Sequence, residues 1–90
     1  MMDMVRKIIV EEYRRAVTKH PKFAFSPAHA VGLITEELGE LAQEINDAIS
    51  NVQEGRCDPL WRDKAIIEAA HVAVTAIRTM EMLAEEATDE

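Results

Sequence analysis

A chain of 90 residues is one small domain (1–90), and as a monomer it buries only about 60% of its unfolded surface, so its own core is thin. Ten Lys and Arg against seventeen Asp and Glu leave a net charge of −7, which repels polynucleotide backbones and anionic membranes. At 48% hydrophobic and 30% charged it is too apolar for disorder, and no apolar run reaches the eighteen or so residues that span a bilayer.

The chain opens with MMDMVRKIIVEEY, where Glu11 and Glu12 cut short the apolar stretch; this reads as the start of a helix over about 3–19, not as a signal peptide. Breakers then cluster in HPKFAFSP (20–27), and Ser26-Pro27 has the form of an N-cap followed by proline at the first helical position. A second helix is predicted over about 27–54, with Val31, Ile34, Leu38, Leu41, Ile45 and Ile49 at steps of three and four forming one apolar face. Gly55 suits the left-handed residue that ends a helix, and Asp58-Pro59 repeats the cap-and-proline pattern. The lone Cys57 has no disulfide partner and reads as a free thiol in a reducing cytoplasm. A third helix follows over about 59–87. The fold class is all-α, with an antiparallel helix 2–3 hairpin closed by a loop of about four residues.

From Ala65 to Ile77 the third helix is apolar in nearly every direction. Two companion helices hardly cover such a surface, so a homodimer or homotetramer completing a helical bundle is expected. Its polar exceptions are ordered: Lys64, Glu68, His71, Thr75 and Arg78 are spaced 4, 3, 4 and 3 and share a face. Glu37, Glu40 and Glu44 form a matching stripe on helix 2, beside the apolar face. Folding the hairpin midway between residues 54 and 59 sets Glu44 level with Glu68, Glu40 with His71, and Glu37 with Thr75, each within roughly 3 Å along the axis. Clustered carboxylates repel by about 4 kcal/mol per pair at 4 Å and an effective dielectric near 20, so such a stripe calls for protons, cations or solvent. Carboxylate oxygens suit Mg²⁺ or Mn²⁺, and an imidazole suits softer transition metals as well.

Glu37-Leu-Gly-Glu40-Leu41 on one helix, followed by Glu68-Ala-Ala-His71-Val72 on the next, resembles the MazG-like all-α nucleotide pyrophosphohydrolases, which carry an ExxE pair and a later ExxD pair. The likeness covers about residues 23–80, and the run from His29 through the Glu-Glu pair to Leu41 looks like small phage and prophage members. It implies Mg²⁺ (or Mn²⁺) held by four positions, here Glu37, Glu40, Glu68 and His71, with a nucleoside triphosphate cleaved between its α and β phosphates by metal-activated water. Lys64 and Arg78 are the cationic candidates for phosphate contacts, read from the residues alone, and Glu44 and His29 are further candidates for binding substrate.

His71 departs from the family pattern, standing where an aspartate is expected and removing one negative charge. That departure keeps open a catalytically degenerate nucleotide-binding or helical interaction module. A third reading is a carboxylate di-iron bundle, because Glu-x-x-His is half of that motif and a dimer would supply Glu40, Glu68 and His71 twice.

Overall fold

The computed structural model describes residues 1–56 and 58–89, and Cys57, expected to be a free thiol, lies outside them. Three helices make up the chain: α1 (Met2–Lys19), α2 (Pro27–Gln53) and α3 (Trp61–Asp89), with no strand among the described residues. No helix among these is long and apolar enough to cross a membrane.

The caps follow the local chemistry. Ser26 sits in extended backbone, and its side chain accepts from the His29 N–H at 3.1 Å. Pro27 opens α2 at the position where a missing N–H costs nothing. Gly55 takes φ +73°, and the Arg56 N–H returns to the Asn51 carbonyl at 2.7 Å, closing α2 as a glycine C-cap does. At Asp58-Pro59 the sequence expectation is two residues early. The Asp58 side chain accepts from the Leu60 N–H at 2.9 Å and its carbonyl from the Trp61 N–H at 3.1 Å. Pro59 and Leu60 are thereby spent in a turn, and the hairpin loop runs over 54–60.

The pairing of α2 with α3 is offset from a fold about the loop midpoint. Glu37 stands beside His71 and Glu68, not Thr75, a slip of about one helical turn from the midpoint fold. With Glu37 beside His71, the end of α2 overhangs the start of α3.

The expected apolar face of α2 also divides. Ala30, Leu33, Ile34, Glu37, Leu41, Glu44, Ala48 and Asn51 are the buried or half-buried positions of the helix that packs on α3. Val31, Leu38, Ile45, Ile49 and Val52 are exposed. Glu37 and Glu44 thus belong to the inward seam, where the sequence placed them beside it.

α3 is the central helix, with α2 antiparallel on one side and α1 parallel on another. α1 and α2 do not pack on each other among the described residues. The core is small: Ala30, Ala48, Ala70 and Val74 are its buried apolar residues. The accessible surface of 6723 Å² exceeds the roughly 5,300 Å² of a compact monomer of this mass. The radius of gyration, 15.5 Å, likewise exceeds the roughly 12 Å of a compact 90-residue domain.

Candidate functional site

α1 docks on α3 through three polar contacts spread along its second half. The Tyr13 hydroxyl donates to the Glu81 carboxylate at 2.8 and 2.9 Å. The buried Arg78 guanidinium donates to the His20 carbonyl at 2.7 Å and to those of Pro21 and Ala16 at 3.3 and 3.4 Å, with the Phe23 ring 5.0 Å away. The Ala16 carbonyl also accepts from the His20 N–H at 2.8 Å, whereas the His20 and Pro21 carbonyls lie just past the end of α1, where helical hydrogen bonding stops. The third contact is Glu12, buried on α1, whose carboxylate lies 3.1 Å from His71 Nε2 and accepts from Arg15 Nη1 at 2.9 Å.

Around His71 the three helices converge. Glu12 comes from α1, Glu37 from α2, and Glu68 from one turn earlier on α3. Ligand atoms of Glu37, Glu68 and His71 lie within 4.8 Å of one another. His71 Nδ1 stands 3.6 Å from Glu68 Oε2 and 3.8 Å from Glu37 Oε2, too far for a direct hydrogen bond. Those two oxygens are shielded from solvent and accept no hydrogen bond among the described residues. Buried acceptors without donors are costly. Two such oxygens converging on one ring nitrogen form a donor set that fits a divalent cation.

Burial, then the Glu40 carboxylate, raise the pKa of Glu37 above the ordinary carboxylate value, with a hydrogen bond to Glu40 and the charge of Glu68 adding to the rise and His71 opposing it. Glu40 itself is exposed, one turn along α2. Of the four positions implied by the family likeness, Glu37, Glu68 and His71 are thus drawn together, and Glu40 flanks them on the solvent side.

The other sequence candidates stand outside the cluster, although His29 and Arg78 line the cleft beside it. Lys64 donates to Asp58 at 2.6 Å at the start of α3, and that bond is the main cause of its raised pKa; Glu44 is a lesser, electrostatic neighbour. Arg78 is committed to the end of α1. His29 Nδ1 accepts from the Phe25 N–H at 3.0 Å and its ring stacks on Phe25, fastening the loop ahead of α2.

Beside the cluster runs a cleft in two lobes. One, of about 340 Å³, is lined by Glu12, Arg15, Lys19, Glu37 and His71. The other, of about 390 Å³, reaches Lys22, Phe23, His29, Leu33 and Arg78. Both share the wall of Ala16, His20, Glu37, Val74 and Thr75. In an acidic chain this cleft gathers basic side chains, Arg15, Lys19 and Lys22, at its rim.

Sequence reasoning missed Glu12 and this basic rim. One signal was present: Ile8, Ile9, Glu12 and Ala16 recur at helical spacing, so Glu12 interrupts the stripe by which α1 packs. Comparison of the chain with family models, with curated proteins and with solved structures finds no match.

Proposed function

We propose that the protein is a metal-dependent nucleoside triphosphate pyrophosphohydrolase of the MazG-like type, using water to release a nucleoside monophosphate and pyrophosphate. The observation that carries this reading is the convergence of Glu37, Glu68 and His71, with two solvent-shielded oxygens that find no donor among the described residues, beside a cleft with a basic rim. Glu37 Oε2, Glu68 Oε2 and His71 Nδ1 would hold Mg²⁺ or Mn²⁺, and the imidazole among the ligands favours Mn²⁺. When bound, the metal supplies charge neutralisation on the phosphates and activation of water. Arg15, Lys19 and Lys22 draw the triphosphate into the cleft against the net negative charge of the chain. Phe23 and Leu33 offer the base an apolar surface. Glu40, exposed against Glu37, takes up the proton that the attacking water gives away.

The same proposal includes a homo-oligomer. Val31, Thr35, Leu38, Ala42, Ile45, Ile49 and Val52 alternate by four and three along α2, and all are exposed. That period is the seam of a coiled coil. It is free of charge in a strongly acidic chain, so a second copy meets it without repulsion. The excess accessible surface agrees with a face awaiting a partner.

The test is pyrophosphate release across a panel of ribo- and deoxyribonucleoside triphosphates, with Mg²⁺ and Mn²⁺ each compared against EDTA. Metal-dependent release from at least one nucleotide is expected. Nucleotide binding without turnover under any of these conditions would leave a degenerate binding module instead.

A further inference from the structure

We propose that Glu12 is a positioning residue that fixes which nitrogen of His71 is offered to the metal. The inference rests on the metal-site reading above and adds a residue from α1, a helix that no sequence motif connects with the site.

The Glu12 side chain is only 8% exposed, with Arg15 at one oxygen and His71 Nε2 at the other. A carboxylate held by an arginine has only acceptor capacity to give. The hydrogen in the 3.1 Å contact therefore sits on His71 Nε2. In the neutral ring this leaves Nδ1 with a lone pair. The distances on that side agree, because 3.6 and 3.8 Å to Glu68 Oε2 and Glu37 Oε2 are longer than an N–H donor would leave to two oxygens that have no other donor among the described residues.

A carboxylate behind an imidazole fixes its tautomer, aligns the ring and raises the basicity of the opposite nitrogen. Glu12 holds the ring and its tautomer from α1, while Glu37 and Glu68 face the nitrogen thus exposed. Metal affinity is thereby tied to the docking of α1.

Two measurements test this: long-range ¹H–¹⁵N correlations of His71 in metal-free protein at mildly alkaline pH, and Mn²⁺ titration by calorimetry. Wild type is expected to carry the ring proton on Nε2. Glu12→Leu, which removes the acceptor but fills the space, is expected to lose that tautomer bias and to bind Mn²⁺ about 10–100-fold more weakly. Glu12→Gln retains an acceptor oxygen. It should keep the tautomer, with an affinity between the other two, and it serves as the variant if leucine disturbs α1. A ring proton on Nδ1 in wild type, or unchanged Mn²⁺ affinity in Glu12→Leu, overturns the role of Glu12 alone. Failure of wild type to bind Mn²⁺ overturns the metal site and this proposal together.

Discussion

Glu37 on α2 and Glu68 on α3 each turn one oxygen toward the same nitrogen of His71, and neither oxygen accepts a hydrogen bond among the described residues. Without a cation this arrangement is repulsive. Glu37→Gln and Glu68→Gln are therefore expected to raise the metal-free melting temperature. A gain of about 1 kcal/mol corresponds to roughly 4–8 °C in a domain of this size. Both variants should lose the stabilisation that Mn²⁺ gives wild type, a point read from melting curves with metal and with EDTA. A variant keeping the full Mn²⁺ response would remove its residue from the ligand set.

Acid should act on the same pair. Because burial and then Glu40 raise the pKa of Glu37, its folded form holds a proton at pH values where the unfolded chain has released it. The stability linked to that proton is fully present below the ordinary value of 4.5 and is lost as pH rises through the raised value. The melting advantage of Glu37→Gln over wild type should accordingly be largest near neutrality and shrink as the medium is acidified. Mn²⁺ affinity should run the other way, falling with acidification as protons compete for the ligands.

Arg78 invites a different substitution. Its buried guanidinium holds three carbonyls at the end of α1, so Arg78→Met is expected to cost about 2–3 kcal/mol by thermal melting. Arg78→Lys should recover only part of this, since an ammonium lacks the planar fork that reaches several acceptors. If Arg78→Met melted like wild type and lost turnover only, the guanidinium would be a substrate contact after all.

The exposed α2 seam predicts a mass. Light scattering at micromolar concentration should report at least twice the 10.1 kDa of the chain. Leu38→Glu, placing a charge at the middle of the seam, should return it to a single chain without loss of helix content. A wild-type monomer would refute the assembly.

Much of the helical frame was legible because its punctuation is local. Ser26-Pro27 and Gly55 act within one turn of themselves, and they fall where the chemistry of caps puts them. Asp58-Pro59 misled by two residues, since the same aspartate can cap a helix or close a turn ahead of it. The register is a separate matter: folding about the loop midpoint sets Glu37 level with Thr75, whereas the packing of the two helices sets it beside His71. The inward role of Glu37 and Glu44 was hidden too. Leu38 and Ile45 one residue further on look equally fit to face α3, and only the actual packing chooses between adjacent stripes. Glu68 and His71 were visible as polar breaks in an apolar run. Glu12 was not paired with them, because its partner depends on α1 lying parallel to α3, a long-range fact with no local code.

That α1 touches α3 and leaves α2 alone bears on how the molecule breathes. The two connections, 20–26 and 54–60, are equal in length, but α2 packs on α3 far more extensively than α1 does. Opening of α1 as a unit exposes less than global unfolding does, so its amides should exchange with solvent faster than those in the middle of α3. Each opening carries Glu12 away from His71 and removes one wall of the cleft. Access to the site is then set by the undocking of a whole helix, and anything that binds across α1 and α3 together should slow amide exchange in α1.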